Sequence, residues 1–463
     1  MKRLSKNILS LFSADMFRRL LGFVSVTYLA RVLGKDGFGE INFAFAVLAY
    51  GSVLNNAGLT LAGTQRIAQG ARPEIANEIV GGRLVLSAAV VGITAIVSFL
   101  LIPDWTLALL IVLMVFALFP QSFFLDWLFQ GMETMAIVSY ARMLSSAVYV
   151  AVIFLFITRS SGVLWVAGAV IGGDAAAALA LLLRFRRKFP DVRIRPRFAP
   201  NLLRQSIPLS VGFVLSTLVI NYPAFILGIV KSNAEVGSFS AASKLVFFLL
   251  IGDRLLLSLL LPASARRYSV EPGLLSSLAQ ETLRWVLMLG LPIAAGGTLL
   301  AEPIVVLVFG PEYAGSAAVM RIFIWYFLLT MIHTVFVSSL IAAGKERAYG
   351  KVMVAIAAAY GIFVTAGAAV HGAPGAAGGV VASELFGAVI TWRALDGMTA
   401  IVPLNVVVRI LLAVAAMCGM LAIVPGGPLA ASIGLGAAVY GIVLFCVRGI
   451  RGQDLKSLAA RLS

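Results

Sequence analysis

Nine ionisable residues stand inside long apolar stretches of this chain, and they are where chemistry could occur. Asp15 and Arg18 share the first stretch with Arg19; Arg142 and Asp174 occupy two later ones; Lys244, Asp253, Arg254 and Glu384 belong to the C-terminal half. An ionisable group at membrane depth is costly unless it is paired or faces a watery cavity. Arginine and lysine in that setting suit an anionic ligand. The carboxylates could carry a coupling proton or cation, or bond a neighbouring Ser or Arg. Asp15 precedes Arg18 and Arg19 by three and four positions and can neutralise one of them. Neighbouring helical residues point about 100° apart, so the two arginines cannot both reach the interface by one route. Asp253 and Arg254 are also adjacent, so each needs a partner from another helix or from a ligand. Lys244 and Arg142 stand closer to the ends of their stretches, within snorkelling reach.

These residues must be positioned by membrane helices. Of 463 residues, 61% are hydrophobic and only 12% charged, with a mean hydropathy of +1.01. A soluble chain would carry about 25% charged residues. Water-soluble enzymes, nucleic-acid binders and disordered chains are therefore excluded. At about 20 residues per span the length accommodates roughly 12–14 helices. Apolar runs bounded by Gly, Pro and charge predict an all-α polytopic membrane protein of about 14 transmembrane helices. They are placed near 9–32, 38–63, 79–102, 105–128, 136–158, 162–184, 206–230, 237–262, 283–301, 317–343, 351–370, 375–395, 405–424 and 428–447. Twelve is the alternative count, because the first two and last four are the least distinct as separate spans. The first stretch reads as a span and not a cleavable signal, since it is long, charged and without a small-residue cleavage site.

The excess of 36 Lys and Arg over 20 Asp and Glu is read as cytoplasmic loop charge. Alternate loops carry it: Lys2, Arg3 and Lys6; Arg66 and Arg72; the Arg184–Arg204 loop; Arg266 and Arg267; Lys345, Arg347 and Lys351; and the tail. This parity places both termini in the cytoplasm. Arg83, Arg284 and Arg409 fall near cytoplasmic span ends and read as further topology charges. Cys418 and Cys446 have no partner spacing, and His333 and His371 are too isolated for a His-based metal site. No cofactor, no metal and no nucleic-acid partner is expected.

The basic central loop marks a midpoint after six spans. Gly39 and Ala44 match Gly237 and Ala242 at an offset of 198 residues, and Gln130–Gly131 resembles Ala343–Gly344. Two six-helix halves of one orientation is a known transporter plan. The predicted organisation is an N-terminal six-helix lobe (1–184), a basic cytoplasmic linker (185–205), a C-terminal six-helix lobe (206–395), and two additional helices with a basic tail (396–463).

Several segments resemble the polysaccharide-transport branch of the multidrug/oligosaccharidyl-lipid/polysaccharide exporter superfamily. They are LARVLGKDGFGEINFAFA (29–46) with NAGLTLAGTQRIAQ (56–69); DWLFQGMETMAIVSYARML (126–144); SIPLSVGF (206–213) with EVGSFSAASKLV (235–246); and GLPIAAGG (290–297) with VVLVFGPEYAGS (305–316). Each is weak alone, whereas their order and spacing are specific. The resemblance implies a flippase of a bacterial inner membrane that moves a polyprenyl-diphosphate-linked oligosaccharide repeat unit to the outer leaflet. It further implies two lobes around a central cavity and alternating access. The partners implied are the lipid-linked oligosaccharide, membrane lipids, and the polymerase and glycosyltransferases of an O-antigen, capsule or exopolysaccharide pathway. Under it, Arg18, Arg142, Lys244 and Arg254 become candidate diphosphate ligands, since guanidinium forks match phosphate oxygens. Asp15, Asp174, Asp253 and Glu384 become candidates for ion coupling or charge pairing. The glycines of the matched segments are expected to serve helix packing.

Two other readings compete. A drug or metabolite antiporter of the same superfamily would need a carboxylate-centred cavity, while the membrane-depth charges here lean basic. A polytopic polymerase or ligase would need a large outer loop with catalytic residues, and every predicted outer loop is short. No Ser–His triad, Walker-type loop or paired-carboxylate glycosyl-transfer site is found, so a non-enzyme is expected.

Overall fold

The computed structural model describes residues 2–158, 162–397, 402–423 and 427–449; the side chains of 2–20, 209, 211–216, 218, 270 and 272 are outside that description. Among the described residues there is no strand. The N-terminal helices are α1 (Lys2–Asn56), α2 (Leu59–Ala68), α3 (Ile75–Leu101), α4 (Trp105–Phe116), α5 (Leu118–Ser122), α6 (Asp126–Gly131), α7 (Met135–Phe156), α8 (Leu164–Lys188) and α9 (Pro200–Val230). There follow α10 (Asn233–Leu249), α11 (Ile251–Val270), α12 (Pro272–Leu299), α13 (Ala301–Phe309), α14 (Ser316–Ala342), α15 (Glu346–Ala394), α16 (Leu404–Ile423) and α17 (Leu429–Cys446).

Eleven helical stretches among the described residues are long and apolar enough to cross a membrane. A 27-residue helix such as α3 is about 40 Å long at 1.5 Å per residue, against a hydrocarbon core of about 30 Å. Two of the eleven contain a glycine with non-helical backbone: Gly34 in α1 (φ 70°) and Gly372 in α15 (φ 61°). Each therefore joins two helices, in keeping with the sequence expectation of spans on either side of residues 33–37 and 371–374. At Gly372 the chain folds back on itself. A Cβ on Gly367 would lie 2.1 Å from the Gly375 carbonyl oxygen, and one on Gly375 would lie 2.0 Å from the Gly367 oxygen. Only bare backbones can approach so closely, which is the small-residue packing typical of membrane helices.

Three expected spans prove to be interrupted. The one placed at 38–63 ends at Asn56, and Ala57 and Gly58 both take positive φ before α2 begins. The one at 105–128 is divided into α4, α5 and α6, with Pro120 in the middle piece. That segment starts cleanly, because the Asp104 side chain accepts from the Thr106 and Leu107 amides at 2.8 and 3.4 Å, an N-cap. The span at 237–262 is α10 and α11, which meet at Leu250 and extend to Val270. The nine-residue α13 was not anticipated, being far too short to span.

The chain divides into two compact units, Met1–Gly237 and Ser238–Ser463. In the first, Ile79, Val80, Trp127, Leu128, Phe129 and Phe185 form a core. Three of these belong to the DWLFQG segment, which is thus a buried packing element. The second unit has two clusters, one around Leu260, Leu283 and Val335 and another around Met288, Ile410, Met417 and Leu444.

Candidate functional site

In the first unit the polar groups cluster where α1, α2, α3, α5 and α6 meet. Arg83, expected as a topology charge, is only 5% exposed. Its Nη1 donates to the Phe124 carbonyl at 3.1 Å, and its Nη2 donates to Asn56 Oδ1 at 3.3 Å and to Thr60 Oγ1. Thr60 in turn donates to Asn56 Oδ1 at 2.7 Å. The break at Ala57–Gly58 is what brings Asn56 and Thr60 to one guanidinium. Burying this cation costs free energy that its hydrogen bonds offset, so the arrangement clamps the α1–α2 break to α3 and to Phe124 in the link between α5 and α6.

Arg142 pairs with Asp126 at 3.3 Å, and its side chain is 56% exposed. Asp126 also accepts from Gln130 Nε2 at 3.4 Å. Asp174, on α8, accepts from Gln121 Nε2 at 2.8 Å, while Gln121 Oε1 accepts from Ser52 at 3.1 Å. One carboxylate is thereby linked through α5 to α1. Asp15 and Arg18, with Arg19, lie outside the described side chains.

The second unit gathers the remaining candidates. Asp253 accepts from Thr334 Oγ1 at 2.6 Å. The neighbouring His333 places Nδ1 2.8 Å from Glu384 Oε1 and Nε2 2.9 Å from Thr391 Oγ1. The pair's side chains are 10% and 13% exposed. The Thr391 hydroxyl also lies 2.7 Å from the Gly387 carbonyl, so it donates either to that carbonyl or to Nε2. When it donates to Nε2, the neutral imidazole donates Nδ1–H to the Glu384 carboxylate. His333 and Glu384 therefore form a buried hydrogen-bonded pair, with Asp253 held by the adjacent residue of α14. Sequence reasoning named both carboxylates and dismissed His333. The available signal was His333 and Thr334 side by side at the middle of a largely apolar helix.

Lys244 and Arg254 differ from the other candidates. Asn233–Ser269 is one candidate span, and Arg254 is close to its middle. Among the described residues, neither cation makes a side-chain hydrogen bond or an ion pair within 4.0 Å, though Asp253 is Arg254's chain neighbour and feels its charge. Between them in sequence, Leu245, Phe248 and Leu249 form one wall of an apolar groove of about 610 Å³, completed by residues such as Pro292, Met417 and Tyr440. Cations and a long apolar surface on one helical segment can accommodate an amphiphile with an anionic head. Among the described residues, no group of three or more His, Cys, Asp and Glu could hold a metal ion.

Helices of this length and apolarity define a multi-pass membrane protein. The fold agrees over nearly the whole chain with a solved structure of the lipid II flippase MurJ in an inward closed conformation. The TM-score is 0.74 at 12% identity, covering 94% of this chain and 98% of that one. An inward-facing multidrug resistance MATE family transporter of the multidrug/oligosaccharidyl-lipid/polysaccharide exporter superfamily also matches, with a TM-score of 0.66 at 15% identity over 82% of this chain and 94% of that chain. The sequence profile of the polysaccharide biosynthesis protein family matches residues 4–266. The chain belongs to that family. Two curated relatives each share 76% of this chain. One, from Shigella dysenteriae, is 22% identical over 89% of its own length, and the other, from Escherichia coli (strain K12), is 23% identical over 87%; each is named "Putative O-antigen transporter".

Proposed function

We propose that this protein is a flippase that carries polyprenyl-diphosphate-linked oligosaccharide repeat units across the bacterial inner membrane for surface polysaccharide synthesis. Lys244 and Arg254, unpaired among the described residues and flanking an apolar groove wall, support the reading most directly. A diphosphate cannot cross hydrocarbon bare, and fixed cations offset part of its desolvation. An apolar groove walled by Leu245, Phe248 and Leu249, which lie between the two cations in sequence, suits the polyprenyl chain, which need not enter water. Family membership and the transporter fold support the same reading.

The cargo crosses unchanged, so the reading contains no catalytic step. In it, residues 1–184 and 206–395 form two six-helix lobes joined by the basic 185–205 linker, with 396–463 appended, and they alternate access to the two leaflets. Both termini are cytoplasmic. Arg18 and Arg142 join Lys244 and Arg254 as diphosphate ligands. The His333–Glu384 pair, with Asp253, couples an ion to the cycle, and Asp15 and Asp174 act as charge-pairing groups. Pathway glycosyltransferases and a polymerase supply and consume the cargo.

The test is gene deletion followed by analysis of lipid-linked intermediates. Repeat units should accumulate in the inner leaflet while surface polymer falls, and the intact gene should reverse both. Unchanged surface polymer in a strain lacking any redundant transporter would remove this function.

A further inference from the structure

A second groove lies in the first unit, and none of the residues named for the transport site lines it. It has a volume of about 630 Å³ and runs between α7 and α8, within the range of about 300–1,000 Å³ typical of small-molecule sites. Its α8 wall is a single helical face extending from Ala176 through Leu179, Ala180 and Leu183 to Arg184 and Arg187. The facing α7 wall runs from Leu144 to Ala136 and includes the exposed Tyr140. The α8 wall runs over twelve residues from Ala176 to Arg187, eleven rises or about 16 Å of helix. That is close to half of a hydrocarbon core of about 30 Å, the depth of one leaflet. The groove is therefore apolar over one leaflet and cationic at its mouth.

Arg184 and Arg187 are exposed and, among the described residues, form no ion pair. Tyr140 is the one other polar side chain lining the groove. Alanines at 136, 141, 176 and 180 make the floor shallow enough for a chain to lie along it. These features match a lipid with an acyl chain and a phosphate headgroup, since the polar groups are confined to Tyr140 and the two arginines at the mouth. Basic pockets between membrane helices on the cytoplasmic side are suited to anionic headgroups.

We infer that the α7–α8 groove binds one anionic phospholipid of the cytoplasmic leaflet, its chain between the helices and its phosphate on Arg184 and Arg187. The inference needs only a membrane protein with this end of α8 toward the cytoplasm and stands apart from the cargo reading. Occupancy would tie the α7–α8 hairpin to the leaflet through a ligand that depends on bilayer composition.

The probe is phosphatidylglycerol against phosphatidylcholine of identical chains, measured by native mass spectrometry on the full-length protein in detergent. Wild-type protein should retain one phosphatidylglycerol under activation that strips phosphatidylcholine. Arg184→Gln with Arg187→Gln should weaken retention at least tenfold, and Ala180→Trp, which fills the groove, should do the same. Arg186→Gln, one residue off the groove, should leave it intact. Thermal midpoints in lipid-free detergent identify any variant that misfolds, and the Gln pair decides if Ala180→Trp does. Wild-type retention by the Gln pair overturns the site, and so does an equal loss in Arg186→Gln, which would signify diffuse charge attraction. Displacement of phosphatidylglycerol by a stoichiometric polyprenyl diphosphate would reassign the groove to cargo and overturn the phospholipid. Protection of the groove by a second copy, seen as cysteine cross-linking at Leu179, would overturn it too.

Discussion

Gly39 and Gly237 are packed so that each forbids a side chain on the other's segment. A Cβ on Gly39 would come 1.8 Å from the Asn233 carbonyl oxygen, and one on Gly237 would come 2.2 Å from the Lys35 oxygen. Lys35 and Asn233 are separated by the same sequence offset as Gly39 and Gly237, so the contact is reciprocal, as a local two-fold axis would make it. Both obstacles are backbone atoms, which cannot rotate aside. Gly39→Ala and Gly237→Ala should each destabilise by about 1–3 kcal/mol, read as a lower thermal midpoint of purified protein. The double variant should cost less than the sum, because the first substitution already parts the segments.

Arg254 and Lys244 should behave as ligands. Arg254→Ala, Lys244→Ala and Arg18→Ala are each expected to lose about 1.5–3 kcal/mol of binding, or one to two orders of magnitude in affinity, at normal abundance. Arg254→Lys should recover part, since charge returns without the guanidinium fork. Arg142→Ala should matter less, because Asp126 already occupies that side chain. Full export by the three alanine variants would end the phosphate assignment.

Arg83 should behave oppositely. Its removal strands the Phe124 carbonyl and part of the Asn56–Thr60 pair, at about 1–3 kcal/mol for each acceptor left buried without a donor. Arg83→Met is expected to reduce membrane abundance, with export per molecule unchanged. Normal abundance with lost export would move Arg83 into the binding machinery.

The His333–Glu384 pair invites a comparison of single and double variants. Glu384→Gln and His333→Gln should each slow export at least tenfold with modest loss of protein, if the pair takes part in the cycle. A double variant with both Gln residues should restore fold stability without export. Parallel loss of abundance and export in all three would show a purely structural pair.

Loop labelling checks the orientation. A cysteine at Lys231 should react with a membrane-impermeant reagent in intact cells, whereas one at Arg195 should react only after permeabilisation. The reverse pattern would invert the whole arrangement.

Much of the helical plan was legible because apolar run length is a one-dimensional property. The span expected at 79–102 is α3, and that at 162–184 is α8 with one further basic turn. The break at Leu250 was not legible, because apolar residues continue across it, whereas the one at Gly58 is marked by Asn55 and Asn56 inside an otherwise apolar run. The hydrogen-bond partners of Arg83 and His333 were not legible for a related reason. Their partners are tens of residues away, Phe124 for one and Glu384 for the other, and a single sequence does not reveal which distant acceptor faces a cation. The carboxylates at Asp253 and Glu384 were flagged correctly as groups needing a partner, since the cost of burial depends on residue type and not on fold.

The fold-back of α15 at Gly372 also bears on how the chain is made. From Val352 to Ser383 there is no Lys, Arg, Asp or Glu, and the turn itself is His371, Gly372, Ala373 and Pro374. The tip therefore carries no formal charge to drag across the bilayer or to anchor it, and the basic residues Lys345, Arg347, Lys351 and Arg393 stand at the base of the two limbs. Such a segment can leave the translocation machinery as one paired hairpin, its limbs already zipped along Gly367, Gly375 and Gly379. A truncation between the limbs would release a helix whose bare glycine face has lost its mate, a substrate for membrane quality control.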